Sequence, residues 1–250
     1  MTRFQIALLL ALLGSLAGLL LKSVLVSVFV AALFVVGFAL GITFPQMRFF
    51  GPYVCNGKPD RRAVALTFDD GPDPRSTLPL LDLLSERKVP AAFFCIGERV
   101  DAHPDVAARI VKEGHLLENH SYSHSYVTNL FTARRLRDEL ERKHGAIQKA
   151  GGAKPSCFRP PLGLSNPLIF EVASALGLRV IGWTARGLDT QIRDANRIVA
   201  RIARGLRPGA IILLHDGNIP PDRLILTVKT LLDRVQSLGY EVVRLDRLLS

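Results

Sequence analysis

The chain begins with two long apolar stretches that only Lys22 and Ser23 separate. The stretch 4–21 has 18 residues, the stretch 24–44 has 21, and neither contains a charge. About 20 apolar residues cross the hydrocarbon core of a bilayer as a helix. A signal peptide fits the pattern less well, because no small-x-small cleavage site is followed by a polar segment. We therefore predict one or two transmembrane helices within residues 1–44, with two favoured, rather than a buried hairpin of a soluble protein.

From residue 62 onward, short β-like runs alternate with amphipathic runs of helical length. The predicted strands are 63–68, 91–96, 115–118, 157–159, 179–184, 210–214 and 241–245. The predicted helices between them are 76–88, 98–113, 132–149, 166–176, 194–206 and 221–238. Strands that alternate with helices favour a parallel sheet. Seven such units predict an α/β fold, a distorted parallel (β/α) barrel of about seven strands.

Composition divides the chain in the same way. Residues 45–61 contain three prolines and two glycines, which is typical of a linker. We therefore predict a membrane segment 1–44, a linker 45–61 and a catalytic domain 62–250. None of the 22 acidic residues precedes residue 59, and the part that follows carries +6 of the formal net charge of +10. This excess suggests an anionic neighbour, although a merely soluble basic surface fits as well. The sequence contains no basic stripe with interleaved aromatic residues, so nucleic acid is not predicted as a partner.

Active sites of such barrels gather at the carboxyl ends of the strands, and polar side chains follow the predicted strands here. Asp69 and Asp70 end the first strand, so that one carboxylate is available to a metal while the other stays free as a base. Alone, Asp-Asp-Gly-Pro is more typical of a turn. His120 and His124 follow the third strand, and on one helical turn they would share a face. With Asp70 they form two imidazoles and one carboxylate, which leaves an open position on a zinc-like ion.

Further candidate groups follow the later strands. Arg159 precedes a stiff Pro-Pro-Leu-Gly loop, and its planar donor fork suits the orientation of a carboxylate, although a surface arginine beside an ordinary turn fits equally. His215 directly follows the strand 210–214, and the pKa of histidine, which lies near neutrality, suits it to act as a general acid. Asp189, a few residues after Trp183, is placed to orient His215, although a capping or solvated aspartate fits equally.

In order and character, these segments resemble the signature motifs of the polysaccharide deacetylase family, which includes chitin and peptidoglycan deacetylases. The resemblance covers about residues 62–250. It rests on the segments Thr67–Pro72, His120–His124, Arg159–Gly163 and Leu213–Asp216. It implies a hydrolase of linear amide bonds that removes the N-acyl, chiefly N-acetyl, group of amino sugars in a cell-envelope polysaccharide or a related glycan.

The resemblance also implies roles for individual residues. Asp70, His120 and His124 would bind a divalent metal ion, most commonly Zn²⁺. Asp69 would be the base that deprotonates the attacking water, and Arg159 would orient it.

On the acid side, the resemblance implies that His215 protonates the departing amine and leaves Asp189 plausible as its support. The resemblance assigns the contacts with substrate and oxyanion to Pro161, Leu162, Trp183 and Leu214. Among these, the N–H of Leu162 would face the tetrahedral oxyanion, and Leu214 would shape the pocket for the acyl methyl group.

The sequence departs from the family pattern beside Trp183. Family members commonly have an acidic residue three positions after this tryptophan and an aromatic residue after the final aspartate, where this chain has Arg186 and Thr190. The wall that faces the substrate is therefore expected to differ. Two alternatives stay open: a deformylase or deacetylase of a lipid-linked sugar, and a glycan-binding pseudoenzyme. The second is disfavoured because all six metal, base, acid and orienting positions are present.

The expected partners are an N-acylated glycan and the lipid bilayer. Polymeric glycans lie outside the cytoplasm, so we predict a membrane-anchored protein with an extracytoplasmic catalytic domain, and the cytoplasmic face is the alternative. The basic residues after the second apolar stretch favour the cytoplasmic side, because basic residues are enriched in cytoplasmic loops. These residues are Arg48, Lys58, Arg61 and Arg62.

Overall fold

The structure, a computed structural model, describes residues 1–58 and 62–250. It begins with a hairpin of two apolar helices, α1 (Arg3–Leu20) and α2 (Val24–Thr43). They pack closely because Gly14 and Gly18 leave no room for a Cβ against side chains of α2. Only 6% of the apolar window of each helix is buried. Both are long and apolar enough to cross a membrane, a test that a signal sequence near the N-terminus also meets.

The described part of 62–250 forms one parallel sheet with helices packed around it. Its strands are β1 (Ala63–Asp69), β2 (Ala92–Cys95), β3 (Leu116–Asn119), β4 (Cys157–Phe158), β5 (Arg179–Val180), β6 (Ala185–Arg186), β7 (Ala210–His215) and β8 (Glu241–Val242). The helices are α3 (Pro74–Arg87), α4 (Gly97–Ala102), α5 (Pro104–Lys112), α6 (Ala133–Lys149), α7 (Pro167–Ala175), α8 (Ala195–Gly205), α9 (Pro221–Ser237) and α10 (Leu245–Leu248).

The sheet curls because one segment joins both of its ends. The strand order is β5-β4-β3-β2-β1-β7-β6, with β8 pairing β1. β5 pairs with β4 and β6 pairs with β7, yet only residues 181–184 separate β5 from β6. The segment 179–186 therefore bridges the two ends, and the sheet is a curled parallel half-barrel. This confirms the predicted fold class.

Alternation along β1 assigns its side chains to two different cores. Val64, Leu66 and Phe68 belong to the large core that contains residues of α3 and α9. The small residues Ala63 and Ala65 face the inside of the curl, where space is narrower. Successive side chains of a strand point to opposite faces, so this inner face continues through Thr67 to Asp69. The first candidate carboxylate thus lies inside the curled sheet.

Three predicted elements differ from the observed ones. The predicted helix 98–113 is two helices, since Pro104 has no backbone N–H and begins α5. The predicted strand 179–184 ends at Val180, and pairing resumes only at β6. The predicted strand 241–245 ends at Val242, because the chain turns into α10 from Leu245.

The described residues of the predicted linker pack on the rest of the molecule. Phe50, Tyr53 and Cys55 are buried, and the Tyr53 ring lies edge-on to Phe170 with centroids 5.2 Å apart. Val54 forms a parallel bridge with Ile181. The division of the chain at residue 61 stays a prediction.

The same segment also contacts the helical hairpin and the inner strand segment. Phe4 in α1 donates its backbone N–H to the Phe49 carbonyl at 2.9 Å. Gln46, three residues after α2, donates from Nε2 to the Trp183 carbonyl at 3.1 Å. Residues 46–57 thus connect the hairpin to the sheet by direct contacts.

We expect the fragment 62–250 to melt at least ~5 °C below the fragment 45–250. Removing Tyr53 and its neighbours exposes Phe170 and Ile181. Burial of one large apolar side chain contributes about 1.5–3 kcal/mol, and 1 kcal/mol corresponds to roughly 2–4 °C in a domain of this size. Thermal unfolding followed by circular dichroism measures the difference. Tyr53→Ala within 45–250 should reproduce part of it, and equal melting temperatures of the two fragments would contradict the packing role.

Candidate active site

A cavity of about 270 Å³ opens at the carboxyl ends of the strands. It is lined by Asp69, Asp70, His120, His124, Tyr126, Leu162, Gly163, Trp183, Arg186, Thr190, Gln191, Leu213 and His215. Most of these residues follow β1, β3, β6 or β7 directly or lie within a few residues of a strand end. The parallel sheet therefore brings together side chains that are up to 146 positions apart in sequence.

Three side chains in this cavity form a candidate metal site. Oδ1 of Asp70 lies 3.3 Å from Nε2 of His120 and 3.2 Å from Nε2 of His124. The three ligand atoms all lie within 4.8 Å of one another. Since Zn–N and Zn–O bonds measure about 2.0–2.2 Å, one ion fits between them.

The tautomer of His120 supports this fit. Its Nδ1 lies 2.7 Å from the backbone carbonyl of Arg159. A carbonyl only accepts hydrogen bonds, so Nδ1 carries a proton, and Nε2, the atom that faces Asp70, is the ring nitrogen available to a metal ion.

The protonation of the other two residues also suits a cation. Burial and the neighbouring His120 lower the pKa of His124 to about 4, which keeps its imidazole neutral. Burial raises the pKa of Asp70, but its close contacts with His120 and His124, together with the more distant His215, outweigh burial and hold the pKa well below its usual range. Metal ligands must be deprotonated to bind, and both groups meet this requirement at neutral pH.

The two imidazoles do not share a helical turn, so that part of the prediction was wrong. Residues 120–127 form a loop in which Ser121 and His124 have positive φ angles of 63° and 50°. A non-glycine residue rarely adopts this region. Asn119 stabilises it by accepting the Ser121 N–H on its side-chain oxygen at 2.8 Å.

Glu139 of α6 accepts hydrogen bonds from the same loop. Its carboxylate accepts the backbone N–H of Tyr122 at 3.1 Å and that of Ser123 at 2.8 Å. It also accepts the Ser123 hydroxyl at 3.0 Å. The loop geometry that brings the two imidazoles together therefore depends on one buried carboxylate.

Asp69 has a different set of partners from Asp70. Its Oδ1 accepts from Nη1 of Arg159 at 2.6 Å, and its Oδ2 lies 3.9 Å from Nε2 of His120. Asp70 takes a φ of 70°, which turns its side chain away from the strand alternation. Two adjacent carboxylates are thus separated, one against a guanidinium and the other between two imidazoles.

Arg159 is fully buried and its donors are used. Nη1 also donates to the Thr67 hydroxyl at 3.0 Å, and Nη2 donates to the Gly182 carbonyl at 3.1 Å. Its guanidinium carbon lies 4.1 Å from the centroid of the Phe94 ring. The position of Asp69 is therefore fixed by a side chain that is itself immobilised.

His215 is bound to Asp189 in two ways. The backbone N–H of His215 donates to Oδ2 of Asp189 at 2.8 Å, and its ring Nδ1 lies 3.0 Å from Oδ1. Burial alone would lower the pKa of His215. The hydrogen bond to Asp189 and the charges of Asp189, Asp69 and Asp70 outweigh burial, so the pKa is raised above its ordinary value.

The rest of the predicted site forms the cavity wall or lies beneath it. Leu162 lines the cavity with a φ of 60° and is 49% exposed. The Trp183 ring packs against Gly163, where a Cβ would collide with it. Pro161 is buried and is not among the lining residues.

The prediction that Leu214 shapes the pocket is corrected by the structure. Leu214 is fully buried in the large outer core, whereas Leu213 lines the cavity. Side chains alternate along β7, so Leu213 shares the inner face with His215 and Leu214 points away.

Other residues of the site were not predicted. Among them, Leu213 could have been identified from the period-two alternation of side chains along β7. Tyr126, which is 78% exposed, and Gln191 lie in loops whose course no local pattern indicates. Glu139 lies on a helix after the loop it binds, and it looks like any other helical glutamate in the sequence.

Comparisons with known proteins agree with one another. Residues 56–181 match the family model described as polysaccharide deacetylase. The chain is 36% identical over 188 residues to a chitooligosaccharide deacetylase of Bradyrhizobium sp. (strain ANU 289), covering 74% of this chain and 85% of the relative. It is 32% identical over 192 residues to a peptidoglycan-N-acetylglucosamine deacetylase of Bacillus cereus, covering 76% and 89%.

Solved structures give the same result. One similar structure is a mutant, with restored enzymatic activity, of a CE4 family pseudoenzyme from Bacillus anthracis. The TM-score is 0.74 at 27% identity, and the match covers 80% of this chain and 71% of that chain.

We expect Glu139→Gln to weaken zinc affinity by about 10–100-fold, the range typical when a group that orients metal ligands is lost. The substitution removes the charge that holds the loop 120–127 while keeping the side-chain shape. Competition with a chromophoric chelator measures the affinity. Glu141→Gln, on the exposed side of the same helix, is the matched control and should leave affinity unchanged. Equal affinity in the two variants would contradict a positioning role for Glu139.

Proposed function

The chain belongs to the polysaccharide deacetylase family and is a hydrolase, and on that premise we propose that it removes the N-acetyl group from amino sugars of a cell-envelope glycan in a metal-dependent reaction. The observation that carries this proposal is the separation of two adjacent carboxylates. Asp69 is bound to Arg159, and Asp70 lies between two imidazoles. Amide hydrolysis at a metal needs both a ligand and a free base, and the two residues are placed for these two tasks.

Asp70, His120 and His124 would hold the divalent ion, and two imidazoles with one carboxylate favour Zn²⁺. When bound, such an ion supplies Lewis acidity and lowers the pKa of water to about 7. Within the proposal, Asp69 takes the proton from the attacking water. Its Oδ1 is occupied by Arg159, while Oδ2 faces the metal ligands. The ion pair thus leaves one carboxylate oxygen for proton transfer.

His215 is proposed to donate a proton to the departing amine. An amine leaves poorly as an anion, so the acid must reach the scissile nitrogen before the bond breaks. Asp189 accepts from Nδ1, which leaves Nε2 as the ring atom that carries the transferred proton. The carboxylate of Asp189 also stabilises the imidazolium form and raises the pKa of His215 above its ordinary value.

The oxyanion that forms on the acyl carbon needs donors beside the cation. We assign this role to the backbone N–H of Leu162, which is supported by its positive φ and its place in the cavity wall. Leu213 is the apolar side chain placed to contact the acyl methyl group, and Trp183 adds a flat apolar wall.

A glycan-binding pseudoenzyme is the second candidate, because one similar solved structure is derived from a pseudoenzyme. The geometry favours the enzyme, since ligands, base and acid all meet in one cavity. We further propose that α1 and α2 anchor the protein in a membrane with the domain on the outer side. Peptidoglycan lies there, and a similar relative is named for it.

Asp69 and Asp70 should separate by role when each is changed to asparagine. Asp69→Asn is expected to keep the metal and lose most of its turnover, because the base is removed while the three metal-binding side chains remain. Asp70→Asn is expected to lose metal, because a charged ligand becomes a weak one. Zinc content by mass spectrometry and acetate release from chitotetraose, each with and without chelator, are the measurements. The opposite pattern would reverse the assignment, and full parental activity in chelator would remove the metal from the mechanism.

His215→Ala should lower turnover by about 10²–10⁴-fold with metal content unchanged, the usual contribution of general acid catalysis. The acid must be protonated, so parental activity should fall as pH rises through the raised pKa of His215, above the ordinary value of about 6.5. Asp189→Asn should move this limb to lower pH, since it removes the carboxylate whose hydrogen bond and charge contribute most to raising the pKa of His215. Deacetylation rates of the parent and the variants, measured between pH 5 and pH 10, test these expectations. An alkaline limb that persists unchanged in His215→Ala would exclude this residue as the acid.

A further inference from the structure

Arg186 places a cation in the wall of the active-site cavity. Its side chain lines the cavity together with Asp69, His215 and Thr190. Among residues 1–58 and 62–250, no ion pair and no hydrogen bond is formed by its guanidinium, and its Nε is buried without a partner. The guanidinium carbon lies 5.2 Å from the centroid of the Trp183 ring.

The contrast with Arg159 shows why this is unusual. Arg159 is fully buried and its donors are bound by a carboxylate, a hydroxyl and two carbonyls. Arg186 is partly buried, and burial lowers its pKa against the pull of the more distant Asp189 and Asp69. A dehydrated guanidinium costs free energy unless its donors are satisfied. The side chain of Arg186 lines a cavity that a substrate is expected to fill, and within the described residues its guanidinium has no hydrogen-bond partner.

The charge balance of the cavity also favours the binding of an anion at Arg186. Asp69, Asp70 and Asp189 supply the negative charges of the site, and Arg159 neutralises the first of them. With a divalent ion bound and His215 protonated, the site is already net positive before Arg186 is counted. Arg186 is therefore not required to balance the carboxylates, and it makes the wall beside Trp183 attractive to an anion.

We propose that Arg186 binds an oxyanion of the substrate, a carboxylate or a phosphate carried next to the N-acylated sugar. This rests on the proposed function, because it assumes that the sugar amide lies at the metal site. A guanidinium presents a planar fork that matches both groups in bidentate geometry. The threonine hydroxyl of Thr190 and the amide of Gln191, which line the same wall, add neutral donors beside it. The substrate class is thus an anionic amino-sugar glycan rather than a neutral chitin-like one.

The test uses the full chain in detergent with Zn²⁺ and three N-acetylated substrates. Chitotetraose is neutral, the disaccharide of N-acetylglucosamine and N-acetylmuramic acid carries a carboxylate, and N-acetylglucosamine 1-phosphate with a short prenyl ester carries a phosphate. We expect Arg186→Gln to lower kcat/KM on an anionic substrate on the order of ten- to a hundredfold more than on chitotetraose, the range of a charge-assisted hydrogen bond. Arg186→Lys should restore part of this difference. The exposed Arg193→Gln, on the loop that follows, is the matched control. The anionic substrate that shows the larger effect identifies carboxylate or phosphate as the bound group.

Equal losses on all three substrates would show that Arg186 only positions Trp183, and no loss on any would also overturn the proposal. Binding to the Asp69→Asn variant, measured by calorimetry, separates this outcome from failure of the proposed function. If the parent deacetylates none of the substrates, the proposed function fails. The oxyanion site then still predicts that Asp69→Asn binds the anionic sugars at least tenfold more tightly than Asp69→Asn/Arg186→Gln does. Equal binding by these two variants refutes it.

Discussion

A fully buried arginine holds the inner face of the curled sheet together. Arg159 leaves the end of β4 and pairs with Asp69 at the end of β1, stacks on Phe94 of β2 and donates to the segment that joins β5 to β6. Charged side chains are almost never buried unless they are paired. Breaking such a pair by removing one partner costs about 3–5 kcal/mol, because the other charge is left in the interior. The interior of this sheet is therefore stable only as a complete polar cluster.

Arg159 also orients two groups of the proposed active site. Its guanidinium positions the proposed base, and its backbone carbonyl fixes the tautomer of His120. One residue thus orients both the proposed base and one candidate metal ligand. Replacing Arg159 by lysine would keep the charge and the carbonyl but lose the planar fork that engages Asp69, Thr67 and Gly182 together. Geometry, and not charge alone, is what this position contributes.

The sequence was sufficient for most strands, for most helices and for many of the polar residues that follow the strand ends. These features depend on local periodicity and on the rule that parallel strands present their carboxyl ends at one edge. It was insufficient where the chain leaves regular structure. The His120–His124 loop depends on two positive φ angles and on Glu139, and neither has a local signature. The resemblance assigned the pocket contact to Leu214, whereas side chains alternate along β7, so that Leu213 lines the cavity and Leu214 lies in the outer core. Proline and glycine content suggested a linker at 45–61, whereas Tyr53 and Val54 pack on the sheet because long-range contacts override local composition.

The short connection between α2 and the sheet has a consequence for where the protein works. A flexible linker of this length would let a domain wander by roughly 20–25 Å. Here Gln46, three residues beyond α2, is hydrogen-bonded to the carbonyl of Trp183 in the wall of the cavity. With α1 and α2 in a bilayer, the cavity sits at a fixed height above the lipid headgroups and cannot swing outward. If the protein is anchored and acts on a glycan as proposed, its reach would be limited to sugars near the membrane, and encounter would be a two-dimensional search by lateral diffusion. The outer layers of a thick glycan would then stay beyond its range.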